Sequence, residues 1–212
     1  MSVITAIEPQ KRRGNRRSIY VNGEFVAGAH EEVILALNLT VGQTFNTDRL
    51  VEIVRAETMR KARESALRLI SYRDRSVSEI RKRLLGNDFP EDIVDEVVDY
   101  MSQAGLLDDG KFSRDWVTSR TASRPMGRTR LAWELTGRGV DASTVEQALS
   151  GLDENAEYSL ALSLAEKKIG KSDRGDPSLK NRMASFLRRR GFDWDVIKRV
   201  LDDLLGSDRI GD

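Results

Sequence analysis

Clusters of basic side chains carry the clearest chemical signal in this sequence, because Lys and Arg can bind either phosphate groups or an acidic protein surface. Three clusters lie in segments with helical patterning: Arg81, Lys82 and Arg83; Arg128 and Arg130; and Arg188, Arg189 and Arg190. A secondary candidate cluster near the N-terminus contains Lys11, Arg12, Arg13, Arg16 and Arg17. A solvated surface explains any single cluster equally well. Their recurrence in related segments favours a binding function.

The sequence contains few of the residue combinations on which enzymatic catalysis usually depends. His30 is the only histidine, so a histidine-based metal cluster or a histidine-dependent triad lacks its components. The most regular series of carboxylates has the spacing of one helix face and comprises Asp92, Asp95, Glu96 and Asp99. A solvated acidic face is a better explanation of that spacing than a metal site. We therefore predict a non-enzymatic protein with no metal and no cofactor, and keep a metal-dependent hydrolase that needs Asp95 as an alternative.

The net charge of +1 hides an alternation of charge along the chain. Residues 60–83 contain nine Lys/Arg and three acids, residues 110–140 contain seven and two, and residues 167–199 contain eleven and four. The intervening segments 84–109 and 141–166 contain eight and six acids and neither Lys nor Arg. Three basic blocks are therefore separated by acidic ones.

Composition also restricts the compartment. The chain has no cysteine, so it forms no disulfides, and the reducing cytosol is its natural environment. Its first residues lack the basic-then-apolar pattern of a secretion signal, and no apolar run approaches the about 20 residues that span a bilayer. We expect a cytoplasmic protein that acts as a monomer and does not bind membranes.

An internal repeat positions the three helical clusters. Segments 77–101, 128–152 and 180–204 superimpose with spacings of 51 and 52 residues. Six apolar columns are filled in all three copies. They are Ile80, Leu131 and Met183; Leu84, Leu135 and Leu187; Phe89, Val140 and Phe192; Val94, Val145 and Ile197; Val98, Leu149 and Leu201; and Met101, Leu152 and Leu204. Periods of this length are typical of tandem helical repeats.

Each copy has the start and stop signals of two helices. Ser76 and Glu79 form a capping-box pattern, which predicts a helix start. Residues that tolerate positive φ stand just before the central apolar column: Asp88, Gly139 and Gly191. The next helix is predicted to begin at Pro90, Asp141 and Asp193 in the three copies. A preceding first helix is expected through Ala66–Tyr72, Lys111–Arg120 and Ala156–Lys168.

The N-terminal part has a different pattern. Val3–Glu8, Ser18–Val21 and Glu24–Gly28 have the character of strands, and Asn22-Gly23 predicts a tight hairpin turn. The basic cluster of residues 11–17 would then lie in the first hairpin loop. A short helix is expected near Glu31–Ala36, followed by a long helix from Asp48 toward Tyr72 in which a break near Thr58 is possible.

The predicted fold is mainly α, with tandem three-helix repeats stacked as an elongated solenoid after a small α+β N-terminal cap. We place the cap at residues 1–58, the repeats at 59–107, 108–154 and 155–206, and a tail at 207–212. The first two helices of each repeat would be basic and the third acidic, so that stacking aligns the cations in one stripe. Trp116 and Trp133 have helical spacing and are expected to be core residues.

Two motifs at the junctions resemble a known family. Residues 105–112 read Gly-Leu-Leu-Asp-Asp-Gly-Lys-Phe and lead into Trp116–Arg120. The second repeat has Gly127-Arg128, then Leu131, Glu134-Leu135 and Arg138-Gly139-Val140. Together with the Ser76, Glu79-Ile80 and Leu84 pattern, these resemble the RecX family of bacterial recombination regulators. The resemblance covers about residues 60–205, the α+β start is similar to the N-terminal extension of longer members, and the third repeat departs most, with an expanded loop at Gly170–Pro177.

The resemblance implies a protein that binds the RecA recombinase filament and restrains its extension, its ATP hydrolysis and its strand exchange. The partners would be the RecA nucleoprotein filament and, through phosphate groups, single- or double-stranded DNA. The helical basic clusters would line the docking face, and residues 11–17 would be a secondary contact. The alternative is a helix-turn-helix-like DNA-binding module that acts without recombinase.

Overall fold

Residues 2–10, 13–170 and 178–206 are described by the computed structural model, and they form four strands followed and interrupted by helices. The chain divides into two compact units, residues 1–107 and 108–212. The first unit contains the N-terminal sheet and one three-helix repeat, and the second contains two repeats. The predicted mainly α fold of three-helix repeats behind a small α+β region is confirmed.

The N-terminal strands form one antiparallel sheet in the order β3-β2-β1-β4. Strands β1 (Ser2–Gln10), β2 (Arg13–Val21) and β3 (Glu24–His30) extend beyond the predicted limits, and the sequence pattern missed the two-residue β4 (Thr44–Phe45). The turn between β2 and β3 has positive φ at both central residues, Asn22 and Gly23, as the Asn-Gly pair predicts.

Helix α1 (Glu31–Ala36) packs with the sheet and the start of the next helix around one apolar core. Its buried members come from the strands, α1, the loop after α1 and the following long helix: Ile4, Ile19, Val21, Ala29, Val33, Ile34, Leu39, Leu50 and Val54. This core gives the cap its own apolar centre.

Helix α2 (Thr47–Tyr72) runs unbroken through Thr58. The Thr58 hydroxyl is buried and donates to the Val54 carbonyl at 2.7 Å, so its polar group is satisfied inside the helix. Leu50 and Val54 pack in the core of the cap, whereas Ala62 and Ala66 pack in the core of the first repeat. One helix therefore belongs to both cores.

The first repeat is completed by α3 (Val77–Gly86) and α4 (Glu91–Gln103). The capping box at α3 is confirmed, because Ser76 accepts from the Glu79 amide while the Glu79 side chain accepts from the Ser76 amide. Asp88 has φ +64°, and Pro90 precedes the first residue of α4, as predicted.

The second unit contains α5 (Asp109–Ser123), α6 (Arg128–Gly137) and α7 (Ala142–Leu149), then α8 (Glu154–Ile169), α9 (Leu179–Arg189) and α10 (Trp194–Leu205). Gly139 and Gly191 have positive φ, and Asp141 and Asp193 cap α7 and α10. Across the three repeats every member of the six apolar columns is buried except Leu204, which is partly buried. The repeat pattern in the sequence is thus a pattern of core positions.

The N-terminal basic cluster does not occupy a long hairpin loop. β2 begins at Arg13, which pairs with Gln10 of β1, so Arg16 and Arg17 lie within the strand. The prediction of a loop was wrong because strand pairing continues past the last apolar residues of β1 and β2. Lys11 and Arg12 lie outside the described residues.

Arg16 is buried and ties the sheet to the first repeat. Its Nη1 donates to the Asp88 carbonyl and its Nη2 to the Gly28 carbonyl, both at 2.8 Å. Arg17 is half-buried and pairs with Glu31 at 2.8 Å. Arg16 therefore has a structural role, since a buried carbonyl without a donor is costly.

Arg16→Met should destabilise the protein by about 2–3 kcal/mol, because two partly buried carbonyls lose a charged donor that is itself buried. Arg17→Met is the matched control on the same strand and should cost only about 0–1 kcal/mol, the usual range for a partly exposed ion pair. Urea unfolding of the full chain measures both. Equal losses for the two variants would contradict the structural role given to Arg16.

Candidate partner-binding surface

The second helix of each repeat has an outward face opposite its core residues. On α6 the core side chains are Leu131 and Leu135, and the exposed face comprises Thr129, Arg130, Trp133, Thr136 and Gly137. This face contains no acidic residue. In the repeat register Arg188 and Arg189 of α9 correspond to its last two positions, and both are exposed. Some of the predicted arginines thus lie at exposed positions of the second helices.

The beginning of α6 contacts the end of α9 through the backbone. The Gly127 amide donates to the Arg190 carbonyl at 3.0 Å, and the Thr129 amide donates to the Gly191 carbonyl at 3.2 Å. A Cβ atom added at Gly127 would overlap the Gly191 backbone, and one added at Gly191 would overlap Arg130. Only glycine permits so close an approach at these two positions.

This backbone contact brings two predicted clusters together. Arg130 lies about one helical turn after Gly127, and its Cβ packs against Gly191. Gly191 directly follows the three arginines at residues 188–190. The sequence predicted these as separate clusters in separate repeats. In the structure they surround one junction, which we call the α6–α9 junction, residues 127–130 and 188–191. The remaining cluster, residues 81–83, lies on α3 in the other unit.

A buried carboxylate lies at the α6–α9 junction. Glu157 of α8 is only 4% exposed, accepts from the Arg128 amide at 2.9 Å, and also accepts from the Asp193 amide. Burial raises the pKa of Glu157, while the two amide hydrogen bonds act in the opposite direction. The sequence did not single out Glu157, because its partners are distant backbone groups that leave no local pattern.

A second carboxylate, Glu134, organises the side chains of the second repeat. It accepts from Trp116 Nε1 at 3.2 Å and Arg120 Nε at 3.1 Å, and lies 3.6 Å from Arg130 Nε. The guanidinium groups of Arg120 and Arg138 lie 4.2 and 3.9 Å from the Trp116 ring centroid. Trp116 packs against the core of the second repeat, as predicted.

Trp133 is not a core residue; its side chain is 64% exposed. The prediction was wrong because Leu131 and Leu135 occupy the inward face of α6, and the residue midway between them points outward. The repeat register contained the signal, since the corresponding positions hold Lys82 and Ser185, both polar and exposed. The Arg130 guanidinium lies 4.4 Å from the Trp133 ring centroid.

The predicted arginines differ in their contacts. Arg128 donates to the Leu149 carbonyl at 2.8 Å and pairs with Glu146 at 2.5 Å, so it closes the end of α7. Arg81 pairs with Glu91 at 2.7 Å and with Asp95. These two side chains hold helices of their own repeats together. The residues available on the surface are a different subset.

Four of the predicted cations are exposed and form no ion pair within the described ranges: Lys82, Arg83, Arg188 and Arg189. Arg190 is half-buried at the end of α9, with its guanidinium 5.5 Å from the Phe186 ring centroid. The outward-facing cations are therefore the ones best placed to meet a partner.

The acidic series on α4 is engaged with arginines. Asp92 and Glu96 both pair with Arg55, and the hydrogen bond from Arg55 lowers the pKa of Asp92. Within residues 2–10, 13–170 and 178–206 there is no group of three or more potential metal ligands. The same part of the chain contains no helix both long and apolar enough to span a membrane.

Comparison with known proteins identifies the family. Four family models match successive parts of the chain: the RecX N-terminal domain (residues 2–46) and the first, second and third RecX three-helix domains (residues 62–101, 108–149 and 155–201). The regulatory protein RecX of Clostridioides difficile is 32% identical over 209 residues, 98% of each chain. The chain belongs to the RecX family.

Further RecX proteins agree with this assignment. The regulatory protein RecX of Mycobacterium ulcerans is 36% identical over 151 residues, which cover 70% of this chain and 87% of that one. A crystal structure of a regulatory protein RecX covers 95% of this chain and 100% of its own with TM-score 0.67 at 24% identity. The structure of RecX from Lactobacillus salivarius gives TM-score 0.66 at 23% identity over 70% of this chain and 97% of its own. RecX is a family of regulatory proteins and not an enzyme family.

The motifs of the RecX resemblance have structural explanations. Asp108 caps α5 by accepting from the Lys111 amide at 2.8 Å. Gly127 permits the close contact with α9, and Glu134 joins α5 to α6. The motif residues thus build the second repeat and its junction with the third.

Gly127→Ala should destabilise the chain by about 1–3 kcal/mol, the usual range for forced overpacking, because the added methyl overlaps the Gly191 backbone. The Thr129 amide should also exchange its hydrogen faster. Gly137→Ala is the control in the same helix, where nothing lies within 4 Å, and should be neutral or stabilise by up to about 1 kcal/mol. Unchanged unfolding and exchange in Gly127→Ala would contradict the close contact.

Protonation of Glu157 should stabilise the folded protein by an amount that decreases as pH rises. Its pKa in the folded protein is raised above the ordinary 4.5, so the folded state binds the proton more tightly, and that contribution is lost as pH rises through the raised pKa. We expect the free energy of unfolding of Glu157→Gln, minus that of the wild type, to increase between about pH 4 and about pH 7. A difference that decreases over this range would mean that the folded state prefers the carboxylate.

Proposed function

We propose that this RecX-family protein acts in the cytosol by binding the RecA nucleoprotein filament and restraining its ATP hydrolysis, extension and strand exchange. Family membership supports a regulatory role, and the family resemblance implies the recombinase as partner. The observation that carries the proposal is the α6–α9 junction, where Arg130, Arg188 and Arg189 lie on neighbouring outward helix faces. A surface of this kind suits a partner that presents many negative charges along its length.

The electrostatics of the junction favour an anionic partner. Exposed guanidinium groups attract phosphate oxygens and carboxylates, and such attraction raises association rates at low ionic strength. Two acids of the same region face the interior, since Glu134 is 13% exposed and Glu157 is buried, while Asp193 is exposed just before α10. The outward face of α6 therefore presents Arg130, whose Nε lies 3.6 Å from the largely buried Glu134, and no exposed carboxylate.

The candidate residues divide into two groups by role. We assign docking to the exposed side chains: Lys82, Arg83, Arg130, Arg188 and Arg189, with Arg190 at their edge. We assign positioning to Arg81 and Arg128, which pair with acids of their own repeats. In the N-terminal cluster, Arg16 is structural, while a contact through Lys11, Arg12, Arg13 or Arg17 stays a prediction. The boundaries of the repeats and the alignment of the three basic helices in one stripe also stay predictions.

Charge reversal at the end of α9 tests the proposal. The wild-type protein, added in stoichiometric amounts, should inhibit ATP hydrolysis by RecA on single-stranded DNA. The double variant Arg188→Glu/Arg189→Glu should raise the concentration needed for half-inhibition by about tenfold or more, since about 1.4 kcal/mol of lost attraction corresponds to a factor of ten.

Lys167→Glu/Lys198→Glu is the matched control, because it makes the same charge change at exposed positions of α8 and α10 in the same repeat. It should inhibit as the wild type does. If the wild type leaves RecA hydrolysis unchanged, the proposed function is wrong. If the Arg188/Arg189 variant inhibits normally, only the assignment of docking residues is wrong.

DNA binding without recombinase is the second candidate function. It is favoured by the hydroxyl groups of Thr129 and Thr136, which flank Arg130 and Trp133 on the outward face of α6 and could meet base edges or phosphates. Sequence-preferring binding to duplex DNA in the absence of RecA, with no effect on RecA hydrolysis, would select this function.

A further inference from the structure

An exposed aromatic ring stands on the acid-free outward face of α6. Trp133 is 64% exposed, and Arg130 lies over one face of its indole ring at 4.4 Å from the centroid. Arg130 is itself restrained, because its Cβ packs against Gly191 and its Nε lies 3.6 Å from Glu134. The ring is therefore supported by a positioned cation on a helix of the folded core.

We propose that Trp133 is a stacking platform for an unpaired base of single-stranded nucleic acid, with Arg130 and the arginines of α9 contacting the flanking phosphates. This inference deepens the proposed function by giving one surface a nucleic-acid partner. Stacking of bases on aromatic rings beside basic side chains is the common mode of single-strand binding and tolerates any base, since every base has a π-face.

The surroundings of Trp133 favour a base over an apolar protein partner. Protein interfaces usually surround an anchoring tryptophan with further apolar contacts that exclude water. On the outward face of α6 the neighbours of Trp133 are Thr129, Arg130, Thr136 and Gly137, none of them a large apolar side chain. Cations and hydroxyl groups around one aromatic ring match a nucleotide, which has one apolar face and an anionic backbone.

The helix N-terminus does not provide the phosphate contact. The amides of Gly127, Arg128 and Thr129 already donate to the Arg190 carbonyl, Glu157 and the Gly191 carbonyl. Phosphate groups must therefore be met by side chains. Arg130 of α6 and the exposed Arg188 and Arg189 of α9 are the candidate cations, because the junction brings the start of α6 against the end of α9.

Trp194 provides a natural comparison within the same unit. It is 59% exposed at the first position of α10, but Asp193 and Asp195 flank it in the sequence and both are exposed. Two carboxylates beside the ring would repel a phosphate backbone. The two tryptophans are thus similarly exposed, but a cation lies beside Trp133 and two carboxylates flank Trp194. We therefore assign base stacking to Trp133 and not to Trp194.

The test compares two oligonucleotides of equal length, one of thymidines and one abasic, which keeps the phosphates and lacks the bases. Binding of the full chain is followed by fluorescence anisotropy of the labelled oligonucleotide and by quenching of tryptophan emission. Trp133→Ala should bind the thymidine oligonucleotide about tenfold more weakly than the wild type, because one stacked base is lost, and most of the quenching should disappear. Its affinity for the abasic oligonucleotide should be that of the wild type.

Two further variants separate stacking from structure. Trp133→Phe keeps a smaller ring and should recover most of the affinity for thymidines, while Trp194→Ala should bind both oligonucleotides as the wild type does. Equal urea midpoints for the variants establish that folding is unchanged.

The inference is overturned by any of three results. The wild type fails to bind thymidines, Trp133→Ala weakens both oligonucleotides equally, or it binds thymidines normally while losing inhibition of RecA. The last result would place the ring against the recombinase. Failure of the wild type to inhibit RecA would refute the proposed function and leave the stacking measurement intact.

Discussion

The second unit depends on one close approach of two backbones, at Gly127 and Gly191. Two amide–carbonyl bonds join α6 to the end of α9, at a separation that leaves no room for a side chain at either glycine. Each three-helix repeat has its own apolar core, and helices can pack through side chains at many angles. Backbone hydrogen bonds are directional, so they fix the second repeat against the third more narrowly than apolar contact does.

Two internal carboxylates complete that arrangement. Glu157 receives the amides that begin α6 and precede α10, and Glu134 receives side chains of α5 and α6. Both are shielded from water and satisfied by donors of the same unit. These two acidic residues therefore organise the interior of this region, while Arg130, Arg188 and Arg189 are exposed. Glu134 also orients Arg130, and the Arg130 guanidinium in turn packs over the Trp133 ring.

The sequence predicted the parts of the fold that depend on local pattern. Apolar spacing located the repeats, because core positions recur with the period of the module, and Ser76, Asp141 and Asp193 marked helix starts by capping chemistry. Contacts between distant segments left no such pattern. The buried role of Arg16 depends on carbonyls at Gly28 and Asp88, and β4 pairs with the start of β1, about 40 residues away in the sequence.

The candidate surface was predictable only in part. Residue type identified the arginine clusters, but only the structure separates Arg128, which closes α7, from the exposed Arg188. Trp133 was misassigned from its helical spacing, although its register with polar residues indicated the outward face. Comparison of the repeats therefore indicates which positions are exposed as well as which are buried.

The 26-residue helix α2 has a mechanical consequence for the first unit. Its first turns anchor the sheet and its last turns anchor the three-helix module, so no flexible linker separates the two. At 1.5 Å rise per residue it acts as a strut about 39 Å long. Bending this helix would break consecutive hydrogen bonds. Arg16 adds a second connection between the two parts, because it joins the sheet to the α3–α4 turn. We therefore expect the sheet and the first three-helix repeat to move together as one rigid body, so that a force on the sheet also displaces α3 and α4.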